Sequence, residues 1–327
     1  MEEVVQKLVA QNKGILAADE SLPTIKKRFD KIALESTQQN RQDYRKMLFG
    51  TSGIEQYLSG VILFEETLRQ QTAQGESPSK TLSQKGIIPG VKVDKGTVDL
   101  PNFKGEKMTQ GLDDLAKRLE EYKNLGAQFA KWRAVITIGE GIPSQVCIDT
   151  NAKILAIYAS ICQSVGVVPI VEPEVLMDGG HDINRCREVT TMTLKSVFLH
   201  LNQHKVNLKA MLLKPNMIIQ GKDNAQKATP NEIADATLAV FIETVPQEVQ
   251  GIVFLSGGQA PDEACLNLNA INQKRGYWQL SFSFGRALQD EALAIWLGSG
   301  ENVAAAQEQF LKRVKLVSEA REGKYGI

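Results

Sequence analysis

Short apolar runs rich in Val, Ile, Leu and Phe recur along the whole chain, and each is short enough to be a buried strand. They are G-I-L-A-A-D from 14, G-V-I-L-F from 60, P-G-V-K-V-D from 89, F-A-K-W-R-A-V-I from 129, V-V-P-I-V-E-P-E from 167, L-K-A-M-L-L-K-P from 208, G-I-V-F-L-S-G-G from 251 and L-S-F-S-F-G-R from 280. Between most of them the apolar residues fall at helical spacing, as in Leu112, Leu115, Leu119 and Tyr122, or Ile233, Ala236, Leu238 and Ile242. Strands alternating with helices indicate parallel β/α units, and eight such units close into a barrel. The predicted fold is therefore α/β, a (β/α)8 TIM barrel. No internal repeat, linker or low-complexity segment divides it, so one domain spans 1–327. The stretch from Glu301 to about Glu322 predicts a final amphipathic helix carrying Val303, Phe310, Val314 and Val317.

Residues 154–171 carry no charge, a length that on its own would suit a membrane span. Gly166, Pro169 and the polar Ser160, Gln163 and Ser164 interrupt it, so it reads as a core-facing helix turning into a buried strand. The start, Met1-Glu2-Glu3-Val4, has neither the basic residues nor the apolar stretch of a signal peptide. Thirty-eight basic residues balance thirty-eight acidic ones without long runs, which speaks against a nucleic-acid or membrane-surface partner. Cys147, Cys162, Cys186 and Cys265 lack C-x-x-C spacing and read as reduced thiols of a cytosolic protein. His200 and His204 lie one helical turn apart without H-E-x-x-H, and read as an exposed helix face; no metal site or cofactor is expected.

In a (β/α)8 barrel, chemistry collects where the strands end at their C-terminal face. Seven of the runs carry polar groups inside them or at that end: Asp19; Lys92; Lys131 and Arg133; Glu172 and Glu174; Lys214; Ser256-Gly257-Gly258; and Ser283-Phe284-Gly285-Arg286. Glu65-Glu66 follows the second run. Side chains alternate along a strand, so Lys131 points the same way as Arg133, and Glu172 the same way as Glu174. One charge at a strand end merely begins a solvated loop. Charges on most of eight runs, always near the same end, predict an active site holding both signs.

Lys214 sits inside the apolar run M-L-L-K-P-N-M-I-I, although lysine is among the residues least often buried. Desolvation and a neighbouring cation both disfavour an ammonium, and Lys131 is the candidate cation. Moving a lysine from about 10.4 to near 7 or 8 needs roughly 4 kcal/mol of differential interaction. A neutral amine in a dry pocket attacks a ketone or aldehyde. The resulting carbinolamine needs acids and bases, which Asp19, Glu172 and Glu174 supply. Two carboxylates sharing a space raise one pKa, so Glu172 and Glu174 are expected to act as acid and base in turn. Their competing reading is as salt-bridge partners for Lys131 and Arg133. Ser256-Gly257-Gly258 and Gly285-Arg286 end the seventh and eighth strands, where barrels frequently bind phosphate through glycine-rich loops. Lys92 is a candidate for a second anion. The expected substrate is a phosphorylated carbonyl compound, with a phosphate at one or both ends.

The motifs G-I-L-A-A-D-E-S from 14, G-V-K-V-D-K-G from 90, F-A-K-W-R from 129, V-P-I-V-E-P-E from 168, L-L-K-P-N-M, F-L-S-G-G-Q and S-F-G-R-A-L together resemble the class I, Schiff-base, metal-independent fructose-bisphosphate aldolases, from about Gly14 to Tyr325. The resemblance implies that Lys214 forms the Schiff base with the ketose C2 and that Glu172 is the main acid/base. Asp19, Lys131 and Glu174 would position and charge-balance the exchange. Ser256, Gly257, Gly258, Ser283, Gly285 and Arg286 would hold the phosphate next to the ketone. Arg28, Lys92, Ser21 and Thr24 would meet the distal phosphate, with Arg133 also at the substrate. It further implies phosphorylated sugar substrates, no cofactor, a cytoplasmic location, glycolysis, gluconeogenesis or the Calvin cycle as pathway, and a homotetramer.

Two departures bear on the chemistry. Thr24 stands where many relatives have serine, which keeps a hydroxyl. The sequence ends Lys324-Tyr325-Gly326-Ile327, where relatives continue into a tail whose terminal tyrosine protonates the enamine. The expectation is that carbon–carbon cleavage survives and another acid, Glu172 or a water, serves for protonation, with Tyr325 as the alternative donor. The rival readings are a Schiff-base barrel for another ketose, such as a transaldolase or an aldolase of sedoheptulose 1,7-bisphosphate, and a non-catalytic sugar-phosphate-binding scaffold.

Overall fold

A computed structural model describes residues 1–71, 76–274 and 276–326. Eight parallel strands close into a barrel: β1 (Gly14–Ala18), β2 (Leu58–Leu63), β3 (Ile88–Lys92), β4 (Phe129–Ile136), β5 (Val168–Val175), β6 (Leu212–Leu213), β7 (Gly251–Phe254) and β8 (Gln279–Phe284). Each pairs with its neighbours in sequence and β8 returns to β1, through Ile15 opposite Ser283. All eight predicted runs thus contain a barrel strand. The sixth is the exception in length: Leu208–Ala210 form a 3-10 turn, leaving two strand residues before Lys214.

The uncharged stretch divides as its sequence suggests, into the helix Gln145–Ser164 and strand β5. The last helix runs Val303–Arg321 after a 3-10 turn over Gly300–Asn302. Two helical readings need correction. Ile242 is 63% exposed, and the inner face of its helix is formed instead by Ile233, Ala234, Thr237, Leu238 and Phe241. His200 and His204 are half-buried rather than exposed, because they lie at the packed C-terminal end of the helix Ile183–Gln203. A two-stranded antiparallel ribbon, Thr97–Asp99 with Lys107–Thr109, sits in the connection after β3 and was not foreseen.

Alternation divides each barrel strand between two apolar environments. Leu16, Ala18, Ala130, Trp132, Val171, Leu213, Ile252 and Phe254 face outward into the layer of helices. Ile15, Ile62, Ile88, Phe129, Val168, Ile170, Leu212 and Val253 face inward and fill the lower half of the barrel, closed from below by Val5, Leu8 and Val9 around the short helix Glu2–Leu8. Three inward positions must be glycine for this plug to fit, Gly60, Gly90 and Gly251, where a Cβ on Gly251 would lie 2.5 Å from Val9. A Cβ on Gly60 would lie 2.7 Å from Leu8, and one on Gly90 would collide with the Phe129 ring. Above the plug the same inward positions become charged, which places the site. Among the described residues no helix is long and apolar enough to cross a membrane.

Candidate active site

Continuing the inward alternation upward from Ile15 and Ala17 leads to Asp19, from Phe129 to Lys131 and Arg133, from Ile170 to Glu172 and Glu174, and from Leu212 to Lys214. These side chains meet. Lys131 Nζ lies 2.6 Å from Asp19 Oδ2 and 3.1 Å from Glu172 Oε2, while Lys214 Nζ lies 3.0 Å from Glu172 Oε1. Lys131, Glu172 and Lys214 are each 3% exposed. One carboxylate therefore bridges two buried ammonium groups, and one of these also holds Asp19. Lys131, the cation expected beside Lys214, shares the Glu172 carboxylate with it.

The electrostatics correct one expectation. Burial alone would raise the Glu172 pKa, but Lys131, Lys214 and Arg133 outweigh it and hold the group below its ordinary value. Asp19 is lowered in the same way, burial being overcome by Lys131, Lys214 and Lys92. Lys131 is raised: burial opposes its charge, and Asp19, Glu172 and Asp94 more than compensate. The raised pKa expected within the glutamate pair is not found at Glu172, which is lowered. Glu174 instead accepts from Arg133 Nε. The salt-bridge reading of this glutamate pair holds for both residues, and Glu172 differs in reaching Lys214 as well.

The anion-binding candidates line the rim. Ser256 is buried and precedes Gly257 and Gly258, whose φ angles of 57° and 88° lie in the left-handed region that favours glycine. A side chain at 258 would also meet Arg286, whose Nη2 is 3.0 Å from a Cβ built there. Two successive left-handed residues turn backbone N–H groups to one side, as in anion-binding nests. Ser283 Oγ is buried on β8 with no hydrogen-bond partner among the described residues. Arg28 comes from the helix Leu22–Asp30, and its Nη2 is 3.6 Å from a Cβ built on Gly285. Arg28 and the S-F-G-R segment therefore adjoin on the seam between β1 and β8. Ser21 and Thr24 share a hydroxyl contact of 3.0 Å at the more exposed start of that helix. Lys92 donates to the Asp94 backbone oxygen and to its carboxylate at 2.6 Å.

Sequence reasoning passed over the groups behind these. Glu20, 7% exposed, accepts from Arg45 and lies 2.5 Å from Arg28 Nη1. Gln289 donates to Glu20 Oε1 at 3.1 Å and to the Ala17 oxygen at 2.8 Å. Burial raises the Glu20 pKa, but Arg28 and Arg45 overcome it and keep the group lowered. The signal was present in A-A-D-E-S, where an acid follows Asp19 directly, but the period of two sends the two carboxylates to different places. Tyr325, the alternative proton donor, packs against the helix Pro261–Lys274, its hydroxyl 3.4 Å from Asp262 Oδ1. Among the described residues no cluster of three or more His, Cys, Asp or Glu could hold a metal ion.

A closed parallel barrel with a buried lysine–carboxylate cluster at the C-terminal ends of its strands is the arrangement of a barrel enzyme. The comparisons with known proteins narrow the class. The family model "Fructose-bisphosphate aldolase class-I" matches residues 1–327. The chain is 54% identical over 320 residues to the cytosolic fructose-bisphosphate aldolase 5 of Arabidopsis thaliana, covering 97% of this chain and 89% of the relative. It is 49% identical over 328 residues to fructose-bisphosphate aldolase B of Gallus gallus, covering 99% and 90%. Among solved structures it superimposes with a TM-score of 0.98 on the fructose-bisphosphate aldolase of Plasmodium falciparum, at 50% identity and over 100% of this chain and 95% of that one. The chain belongs to the class I fructose-bisphosphate aldolase family and is a lyase acting on phosphorylated sugars.

Proposed function

We propose that the chain cleaves fructose 1,6-bisphosphate reversibly to dihydroxyacetone phosphate and glyceraldehyde 3-phosphate through a Schiff base on Lys214. The observation that carries this reading is the 3.0 Å contact between the buried Lys214 Nζ and Glu172 Oε1. That contact is within proton-transfer reach. Glu172 takes a proton from Lys214, and the free amine adds to C2 of the ketose. The carbinolamine oxygen leaves as water after accepting a proton from Glu172, giving the iminium. Glu172 then accepts the proton of the C4 hydroxyl. The C3–C4 bond breaks with its electron pair moving toward the iminium, the aldehyde departs, and an enamine remains. Protonation at C3 and hydrolysis release the second product and return the lysine.

Lys131 and Asp19 support this by charge. With Lys131 held protonated, Glu172 keeps a cation beside it when Lys214 becomes neutral, so the carboxylate is never left alone in the barrel. Glu174 and Arg133 form a neutral pair that flanks the reacting groups. The backbone at Gly257 and Gly258, with Ser256, Ser283, Gly285 and Arg286, serves the phosphate next to the ketone. Arg28, Lys92, Ser21 and Thr24 serve the distal one, the two sets meeting where Arg28 adjoins Gly285. The cytosolic names of plant relatives support work in the cytoplasm, and the family suggests glycolysis and a homotetramer, for which light scattering is the test.

Steady-state cleavage of fructose 1,6-bisphosphate with a strong chelator present tests the reaction. Full activity is expected; loss of activity that added divalent metal restores would refute the lysine route. Rates with sedoheptulose 1,7-bisphosphate alongside define which ketose is preferred.

A further inference from the structure

Strand β5, which carries Glu172, and strand β6, which ends just before Lys214, are barely paired with each other. Strand β5 makes eight paired positions with β4 on one side, from Phe129 opposite Val168 to Ile136 opposite Val175. On the other side it pairs with β6 at only two, Ile170 opposite Leu212 and Val171 opposite Leu213. The last backbone bond across this seam is Lys214 N–H to the Val171 oxygen, 2.8 Å. Above it the chain turns away through Pro215, so the upper half of β5, which holds both glutamates, has no strand beside it there.

Two residues resolve the resulting shortage of partners for N–H groups. Val171 faces β6, and by the period of two so do the backbone groups of residues 173 and 175. Residue 173 is proline, which has no N–H to leave unpaired. Val175 does have one, and it donates to the side-chain Oδ1 of Asn216 at 3.0 Å. Asn216 is 4% exposed, and its Nδ2 donates to Thr190 Oγ1 at 3.2 Å and to the Met217 oxygen at 3.0 Å. Its amide thus takes over the function of a strand edge between β5 and the segment after Lys214, and ties both to the helix Ile183–Gln203.

We propose that Asn216 is a positioning residue that sets the spacing of Lys214 and Glu172 by stapling the upper end of β5 to the chain two residues beyond Lys214. The inference rests on the Schiff-base reading of Lys214. Its physical basis is that the Lys214–Glu172 contact lies at the last ladder bond of the seam, Lys214 N–H to the Val171 oxygen, with no further backbone pairing above it to keep the seam closed. Proton transfer tolerates little added distance, and displacements near 1 Å are costly to rate. Of the phosphate-binding candidates, Lys92 on β3, the residues of the helix after β1 and those ending β8 stand away from this seam, while the turn after β7 adjoins it through Leu255 N–H to the Pro215 oxygen at 3.1 Å, so binding should change less than turnover.

The test compares Asn216→Ala and Thr190→Val with the wild type, using melting temperature, kcat and KM for fructose 1,6-bisphosphate, the pH profile of kcat, and the rate of borohydride-trapped adduct formation with dihydroxyacetone phosphate. Asn216→Ala should lower kcat about ten-fold or more while KM changes less than about three-fold. The acid limb of its kcat profile should move to higher pH, because Glu172, which faces Lys131, Lys214, Arg133 and Asp19, is then farther from one of its cations. Thr190→Val, which keeps the Val175 and Met217 bonds but removes the amide's tie to the helix Ile183–Gln203, should show the same directions with a smaller loss. If Asn216→Ala does not fold, Thr190→Val decides alone. A lower melting temperature with kcat within about two-fold of wild type and an unmoved pH profile would overturn the proposal, leaving Asn216 a purely structural residue. No adduct in the wild type would instead remove the Schiff-base reading and this inference with it, whereas a wild-type adduct with unchanged variant kcat removes this inference alone.

Discussion

The lower and upper halves of the barrel interior are built by the same strands with the same alternation, yet they are chemically opposite. Below, Ile15, Ile62, Ile88, Phe129, Val168, Ile170, Leu212 and Val253 pack as a dry plug. One or two turns of the alternation higher, Lys92, Lys131, Arg133 and Lys214 face Asp19, Asp94, Glu172 and Glu174. The plug stabilises the fold through burial and dispersion. The upper layer carries charges largely out of bulk water, with Arg133 alone of the eight groups substantially exposed, a cost that pairing offsets only in part, and hydrophobic replacements of such clusters are often neutral or stabilising. The difference teaches that the lower layer is present for stability and the upper one for chemistry.

The sharpest way to break the comparison is to remove one group from each layer. Lys214→Met should abolish cleavage, by on the order of 10^4-fold or more, with the melting temperature close to wild type, as steady-state kinetics and calorimetry will show. Phe129→Ala in the plug should do the reverse: about 3–5 kcal/mol of unfolding free energy lost in denaturant titration, with turnover per folded molecule preserved. Equal losses of both properties in either variant would erase the distinction between the layers.

Of the two layers, acid should act on the upper one. Asp19 and Glu172 have folded pKa values below their ordinary 3.8 and 4.5. Groups lowered on folding add stability that is complete above those ordinary values and is lost as pH falls through the window beneath them. The melting temperature should thus be level from about pH 5 to 7 and fall below about pH 4.5. Lys131→Met removes the largest opposing charge on both carboxylates, so its profile should fall less steeply across the same window. A steeper fall in that variant would contradict the assignment. The smallest expected effect concerns the cysteines, all buried and free. Burial pushes the Cys147 and Cys265 thiols up to about 11 and raises Cys162 and Cys186 too, so a disulfide reagent at pH 8 should titrate no thiol in the native chain and four after denaturation.

The barrel was legible because its signals are local and periodic: eight apolar runs, with charges recurring near the same end of most of them. Lys214 was legible because an ammonium inside M-L-L-K-P-N-M-I-I has no bland explanation at that depth. What escaped depends on contacts across the barrel. Glu20 meets Arg45 and Gln289 from distant parts of the chain, and no spacing announces that. Glu172 and Glu174 were read as a pair in which one pKa is raised, but Glu174 turns to Arg133 and Glu172 lies among cations that lower it. The shortness of β6 was hidden too, since L-K-A-M-L-L-K-P reads as a full strand until Pro215 and the turn over Leu208–Ala210 are seen to take its ends.

The account stands on Lys214 as the nucleophile. Borohydride reduction in the presence of dihydroxyacetone phosphate, followed by peptide mass mapping, tests it directly: one adduct per chain on Lys214 is predicted, absent in Lys214→Met. An adduct on Lys131, or none on an active wild-type chain, would contradict it.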